Sequence, residues 1–246
     1  MIGAISWRVL ALTAAVAVAL CAAPAAAQRG EPARPGPAVG PADGTFRDCP
    51  HCPDMVDVTP GSVVMGDSPL GRVTLAHGFA YSRDKISFRD WKHCVLAGLC
   101  QSLGATSTAS ADPVVQVSWL DVQQYLVWLS LETGADYRLL SEAEWEYLAK
   151  STPTVSPDFR RDGLEWTSDC WHADYAGAPT DGSSWDTDGD CRYHVARGRR
   201  PGETAPSVTK RYRFLFDARD AALGFRVART MRGSPRRPRF RPRTFA

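Results

Sequence analysis

One stretch of the chain repeats apolar residues at clear helical spacing. Four of them stand at positions i, i+3, i+4 and i+7, which is the stripe of a helix packed on a core: Val122, Tyr125, Leu126 and Leu129. The motif Ser118-Trp119-Leu120-Asp121 precedes the stripe and is typical of a capping box. Thr133-Gly134 follows it as a glycine stop. The pattern predicts a helix between these two signals.

The same capping-box motif occurs twice more, at Ser87-Phe88-Arg89-Asp90 and at Ser141-Glu142-Ala143-Glu144. In each motif, the serine oxygen accepts a backbone N–H three residues on, and the acidic side chain accepts the N–H of the serine. Behind the last motif, Trp145 and Leu148 are three residues apart and are expected to face the core. The chain should therefore contain two to three helices.

Residues 141–147 place three carboxylates around one tryptophan, which is typical either of an acid–base pair or of the start of a helix. Glu144 stands at the capping position and Glu142 in the first turn, so both are interpreted as structural. Glu146 points elsewhere and is expected to pair with an arginine such as Arg138.

Short apolar runs indicate strands on both sides of the helices. Residues 55–66 predict a hairpin, with Pro60-Gly61 as the turn between residues 56–58 and 63–65. Residues 73–75 and 78–81 offer a third short strand. Three late strands are predicted, with Phe225 and Val227 inward and Arg226 and Ala228 outward in the last: 193–197, 212–216 and 224–229. The order favours an α+β fold whose terminal strands pair. Residues 151–192 contain repeated Pro and Asp-Gly breaks, which predict long loops.

The first 27 residues are typical of an export signal. Arg8 precedes an apolar run over 9–23, and Ala25-Ala26-Ala27 matches a cleavage site, so Cys21 is expected to leave with the signal. Residues 28–44 are rich in Pro, Gly and Ala and are interpreted as a linker to a folded domain over 45–230. No other apolar run approaches the roughly 18 residues of a membrane helix, so we expect a periplasmic or secreted protein without a transmembrane segment.

Six cysteines remain after removal of the signal, and export favours their pairing. Proximity along the chain favours three disulfides: Cys49 with Cys52, Cys94 with Cys100, and Cys170 with Cys191. Two alternatives stay open for Cys49-Pro50-His51-Cys52. It would be half of a zinc site if further ligands came close, or a thiol–disulfide exchange pair if it opened a helix.

The C-terminal residues 231–246 carry six arginines and no acid, which more than accounts for the net charge of +2. Arginine and proline without apolar periodicity predict a disordered tail that contacts an anionic surface or only keeps the chain soluble. Nucleic acid is not an expected partner outside the cytoplasm.

Several segments in order resemble the formylglycine-generating enzyme, or sulfatase-modifying-factor, family. They are FRDCPHCPDMVDVTPGSVVMGD, PVVQVSWLDVQQYLVWLSLETGADYRLLSEAEWEYLAK, DCWHADYAGAPTDGSSW, RYHVARG and GFRVART. The resemblance spans residues 46–230 and implies a C-type-lectin-like α+β fold, with short strands, two to three helices and long, disulfide-linked loops.

The chain departs from the family pattern at the expected reaction centre. The resemblance implies that oxidising members hold copper with two cysteines after an R-G-G-S motif, but the matching segment here is Arg197-Gly198-Arg199-Arg200-Pro201 and no cysteine follows Cys191. Copper is therefore disfavoured, because Cu(I) prefers thiolate ligands. The family's calcium ligands lie in a region that this chain shortens. Calcium remains a candidate at three clustered acids: Asp186, Asp188 and Asp190.

These observations predict a binding or accessory module that has lost oxidase chemistry, with an unidentified protein or glycan ligand. The expected contact residues lie in the loop-rich half of the chain, although each tryptophan there is equally suited to a core: Trp166, Asp169, Trp171, His172, Asp181, Trp185 and Arg197. The alternative is a divergent metal-dependent oxidase that converts a protein cysteine to formylglycine. It would use the two cysteines of 170–191 with His172 or His194.

Overall fold

The computed structural model describes residues 45–66, 71–103, 110–151, 163–203 and 208–231. These ranges contain eleven strands and three helices, so the expected α+β class is confirmed. In chain order they are β1 (Thr45–Phe46), β2 (Met55–Val58), β3 (Gly61–Val64), β4 (Arg72–Leu75), β5 (Phe79–Ser82), α1 (Phe88–Leu96), α2 (Trp119–Thr133), β6 (Tyr137–Leu139), α3 (Glu142–Lys150), β7 (Gly163–Trp171), β8 (Asp190–Arg199), β9 (Arg211–Leu215), β10 (Leu223–Phe225) and β11 (Val227–Thr230). The predicted signal, the linker and nearly all of the tail lie outside the described residues.

The three helices begin where the capping boxes predict. At the start of α2, the Asp121 N–H donates to Ser118 Oγ over 3.1 Å, and the Ser118 N–H donates to the Asp121 carboxylate over 2.7 Å. Gly134 ends α2 with a φ of 67°, a left-handed conformation that glycine adopts without a steric cost. None of the helices in the described ranges combines the length and the apolar composition that a membrane crossing requires.

A five-stranded sheet with the order β1-β2-β5-β11-β6 forms the middle layer. Along β5, Phe79 and Tyr81 pack into one apolar cluster and Ala80 into the other. The cluster on the Ala80 side contains α1 and α2, where Trp91 stacks on Tyr125 with ring centres 5.6 Å apart. The cluster on the opposite side contains α3 and the β3–β4 hairpin. The sheet is therefore covered on both faces.

The prediction that the terminal strands pair is wrong in detail. β1 and β11 belong to the same sheet, but β2 and β5 lie between them. All four residues of β5 are buried, so this strand needs a hydrogen-bonded neighbour at each edge, which β2 and β11 supply. The two-residue β1 takes the edge position.

The predicted hairpin over 55–66 is also wrong. β2 pairs with β1 and β5, whereas β3 leaves the sheet and pairs with β4, with Val63 opposite Val73. Pro60 explains the difference, because its ring fixes φ near −65° and a two-residue hairpin turn needs positive φ values.

A second sheet has the order β10-β7-β8-β9, with β7 and β10 parallel. Its nine-residue strand β7 lies within the region predicted as loops, so that prediction is wrong over 163–171. The predicted last strand divides at Arg226 into β10 and β11, which join different sheets. Arg226 is buried there rather than outward, and its Nε lies 3.2 Å from the Glu165 carboxylate. Ala228 is buried as well.

The three disulfides that proximity favours are formed: Cys49–Cys52, Cys94–Cys100 and Cys170–Cys191. The first closes the turn between β1 and β2, the second joins α1 to the segment that follows it, and the third joins β7 to the start of β8. Each disulfide links a loop to a neighbouring helix or strand or closes a turn.

His194 on β8 joins the second sheet to α2. Its ring stacks on Trp119 with the centres 3.9 Å apart, and its Nδ1 lies 3.1 Å from the Asp169 carbonyl oxygen. Burial lowers the pKa of His194 to about 4. The imidazole is therefore neutral in the folded protein at neutral pH.

His194→Gln should reduce the loss of stability on acidification. The ordinary histidine pKa is near 6.5, and the pKa of His194 in the folded protein is about 4. Between these two pH values the imidazole is protonated in the unfolded chain but not in the folded chain. The free energy of unfolding of the wild type therefore falls as pH falls. Between pH 7.5 and 4.5 the wild type should lose about 2–3 kcal/mol more than the variant in urea unfolding. The carboxylates titrate equally in both proteins and cancel. Equal losses would show that this ring does not stay neutral.

Candidate functional site

The N-terminus of α3 is fixed by Asp169, a buried residue of β7. One carboxylate oxygen accepts the Glu142 N–H over 2.7 Å, and the other accepts the Trp185 N–H over 2.9 Å. Ser141 adds a hydrogen bond of 2.7 Å from its hydroxyl to the Gly182 carbonyl. Asp169 thus holds the second sheet, the first turn of α3 and the 172–189 loop together.

A buried arginine–carboxylate cluster occupies the face of α3 that packs on the second sheet. We define this cluster as Glu142, Glu146, Tyr175, Arg197 and Arg211. The Arg197 guanidinium, which is fully buried, donates to Glu142 over 2.7 Å and to Glu146 over 2.5 Å. Arg211 donates from Nε and Nη2 to the two oxygens of Glu142, over 2.6 and 3.0 Å. Tyr175 donates its hydroxyl to Glu142 over 2.9 Å.

The cluster continues toward the surface through Glu146 and Arg211. The second oxygen of Glu146 accepts the Gly66 N–H over 2.7 Å and faces Lys150 Nζ at 2.6 Å. Arg211 is half-buried and lies over the rings of Trp171 and Tyr175, 4.8 and 4.5 Å from their centres. The expected pairing of Glu146 with Arg138 is wrong, because Arg138 binds both oxygens of Glu144 instead. Arg138 leaves β6 next to the start of α3, where Glu144 is the nearer acid.

Positive and negative charges are matched inside the cluster. Burial alone would raise the pKa of Glu142, but Arg197 and Arg211 outweigh it and lower the pKa. Asp169 has no such cation, and burial together with the nearby Glu142 charge raises its pKa to about 7, against two backbone N–H bonds. Glu142 is therefore ionised at neutral pH, while Asp169 is close to its midpoint. Burial raises the pKa of the Tyr175 hydroxyl, which stays protonated.

A small cavity lies beside Glu142 and Asp169. Its volume is about 20 Å³, which is room for about one water molecule. Its wall includes Met65, Val73 and Trp185. The carboxylates of Glu142 and Asp169 therefore lie next to a small partly open cavity.

The predicted site residues separate into three groups. Asp169, Trp185 and His172 lie together, since Trp185 is bonded to Asp169 and stacks on His172 at 3.4 Å. Arg197 belongs to the cluster, and Trp171 lies on its outer side against Arg211. Two residues stand apart: Trp166 and Asp181. Trp166 is a core residue that donates to the Val117 carbonyl, and Asp181 is exposed and closes a turn with the Ser183 N–H.

Glu142, Tyr175 and Arg211 were missed as cluster residues by sequence reasoning. Glu142 was interpreted as a first-turn carboxylate alone, yet its side chain is one of the most contacted acids of the cluster. A usable signal was present. Glu142 and Glu146 are four residues apart and therefore share a helix face with buried neighbours, which requires cations from elsewhere in the chain. The sequence does not say which arginines these are.

Of the three candidate calcium ligands, Asp190 pairs with arginines in the structure. Asp190 binds Arg192 over 2.8 Å and faces Arg213, and Asp186, Asp188 and Asp190 do not converge as a compact ligand group. Within the described ranges, the group of three metal-capable side chains whose ligand atoms all lie within 4.8 Å of one another is Cys49, His51 and Glu132.

The oxidase alternative loses its ligands in this structure. Cys170 and Cys191 are bonded to each other, and His194 is stacked on Trp119. His172 places Nδ1 3.1 Å from the Cys170 carbonyl oxygen and Nε2 2.9 Å from the Thr187 carbonyl oxygen.

Residues 43–161 match the model of the sulfatase-modifying factor enzyme 1-like domain. No curated protein matches the chain. The structure resembles PvdO from Pseudomonas aeruginosa at 29% sequence identity with a TM-score of 0.64, covering 76% of this chain and 98% of that one.

Two further structures share the fold at lower identity. Treponema denticola variable protein 1 is 16% identical with a TM-score of 0.61, covering 78% of this chain and 100% of its own. CarF is 14% identical with a TM-score of 0.56, covering 74% of this chain and 99% of its own. The match over residues 43–161 and the fold shared with PvdO together show that this chain contains a sulfatase-modifying-factor-like domain.

Proposed function

We propose that this protein is an exported binding or accessory module of its family that does not oxidise cysteine. The observation that carries the proposal is the state of the sulfur atoms. All six cysteines of the described domain are paired in disulfides, and no cysteine follows Cys191 in the sequence. A soft copper ion would find no thiolate near the last strands.

The segment that replaces the family's R-G-G-S motif supports the same conclusion. Arg197 is buried between Glu142 and Glu146, so its positive charge is paired inside the protein. Gly198 has a φ of 121°, and a side chain there would meet the Gly163 carbonyl oxygen at 2.4 Å. Both residues serve the packing of β8 against α3 and β7.

Ligand binding is assigned to the outer side of the cluster. We define the arginine–aromatic ridge as Trp171, Tyr175, Tyr193, Arg211 and Arg213. Arg213 lies 3.6 Å from the centre of the Tyr193 ring, and Arg211 and Arg213 alternate along β9, so they project from the same face. The guanidinium groups fix the orientation of these half-exposed rings. A ligand that stacks on them therefore causes little further loss of side-chain entropy on binding. A protein or glycan ligand suits such a surface.

Export is part of the proposal. The first 27 residues have the form of a signal peptide, and three disulfides require an oxidising compartment to persist. The basic tail over 231–246 would then meet an anionic surface outside the cytoplasm.

The purified mature protein should leave the cysteine of a sulfatase-type peptide unchanged when copper and oxygen are supplied. The reason is the missing thiolate pair, and mass spectrometry of the peptide reports the result. An active family enzyme serves as the positive control under the same conditions. Formation of the aldehyde would overturn the proposal.

Trp171→Ala should weaken ligand binding at least tenfold, because a central aromatic platform contributes about 2 kcal/mol or more. Glycan and peptide arrays identify the ligand, and isothermal titration measures its affinity. Val127→Ala on α2 is the matched control, since Val127 is 53% exposed and lies outside the ridge. The ridge is not the binding surface if no ligand binds above background, or if Trp171→Ala and the control bind equally.

Arg197→Met should destabilise the fold by about 3–5 kcal/mol, because it leaves Glu142 and Glu146 buried without their shared cation. Urea unfolding measures the change. Arg192→Met removes an exposed ion pair with Asp190 and should cost less than about 1 kcal/mol. A small effect of Arg197→Met would mean that the buried guanidinium is available for a role other than packing.

A further inference from the structure

The motif Cys49-Pro50-His51-Cys52 lies apart from the arginine–aromatic ridge in the sequence and takes no part in the proposed binding function. It forms the turn between β1 and β2, with Cys49 half-buried and Cys52 buried. The fold brings Glu132 to this turn from the end of α2. The ligand atoms of Cys49, His51 and Glu132 then lie within 4.8 Å of one another.

The spacing of these atoms suits a tetrahedral metal site. His51 Nε2 and Glu132 Oε1 are 3.3 Å apart, which is long for a well-formed hydrogen bond. Two ligands bound at about 2.0–2.1 Å to one tetrahedral zinc ion lie roughly 3.3–3.4 Å apart. The imidazole and the carboxylate are therefore already at the separation that a shared Zn²⁺ requires.

The electrostatic surroundings favour a cation at the same place. Glu132 stands in the last turn of α2, a turn that contains no basic residue. The last turn of α1 contributes His93, whose ring stacks on His51 with the centres 4.6 Å apart. The carboxyl end of each helix carries partial negative charge, and two such ends meet here.

We propose that reduction of the Cys49–Cys52 disulfide opens a Zn²⁺ site formed by Cys49, His51 and Glu132. A dithiol reductant donates two electrons and two protons, so the S–S bond becomes two thiols and the reductant becomes a disulfide. Zn²⁺ then displaces the proton of Cys49 into solvent and binds the thiolate.

The oxidation state controls the site through charge. In the disulfide, the sulfur of Cys49 is neutral and a poor ligand. After reduction, a thiolate and the Glu132 carboxylate would lie close together and repel each other unless a cation bound between them. The divalent ion removes that repulsion.

Cys52→Ser in the full chain tests the site without a reductant, because it leaves Cys49 as a free thiol. Titration of Zn²⁺ against a chromophoric chelator should give one bound equivalent, at least 100-fold tighter than in the oxidised wild type. Cys49→Ser is the matched control, since it also frees one thiol but removes the proposed ligand. Adding His51→Ala or Glu132→Gln to Cys52→Ser should weaken binding at least tenfold.

A second measurement covers the case in which Cys52→Ser does not fold. Cys170→Ser/Cys191→Ser removes the disulfide with an exposed sulfur, and treatment with a dithiol followed by its removal then reduces Cys49–Cys52 ahead of the buried Cys94–Cys100 pair. Zn²⁺ should raise the Tm of the reduced protein and leave that of the oxidised protein unchanged. Equal Zn²⁺ responses in the two states, or tight binding that survives Glu132→Gln, would overturn the proposal.

Discussion

The buried guanidinium of Arg197 is the contact on which the two halves of this fold depend. It projects from β8 and holds Glu142 and Glu146, one helical turn apart on α3. The helix covers one face of the five-stranded sheet, so the ion pairs connect that sheet to β7, β8 and β9. A hydrophobic contact would tolerate small shifts, whereas two hydrogen-bonded charges in a buried region fix both position and orientation.

The same contact balances charge inside the protein. The Arg197 charge is matched by Glu142 and Glu146. On the outer side of the cluster, Arg211 lies between Glu142 and the rings of Trp171 and Tyr175. The scaffold therefore presents aromatic rings at one edge.

Local signals in the sequence predicted more than long-range ones. The three capping boxes, the glycine stop at Gly134 and the disulfide pairs depend on residues that are close along the chain or obey a simple pairing rule, and the structure confirms them. The partner of Glu146 is 51 residues away and the neighbour of β5 is at the other end of the domain, so neither could be read from spacing. β7 was missed because both of its faces are buried, and the polar residues at every second position are bonded inside the protein: Glu165, Thr167 and Asp169. In the sequence alone, an acidic residue indicates an exposed loop, because the partner that allows its burial cannot be identified.

The position of β11 has a consequence for how the chain acquires its structure. This strand, at residues 227–230, inserts between β5 and β6, and β6 makes its sheet contacts through β11. The middle layer therefore cannot close while the last quarter of the polypeptide is still being synthesised, however early the helices form. Formation of this sheet therefore depends on contacts between segments that lie far apart in the sequence, which makes it slower than formation of the helices.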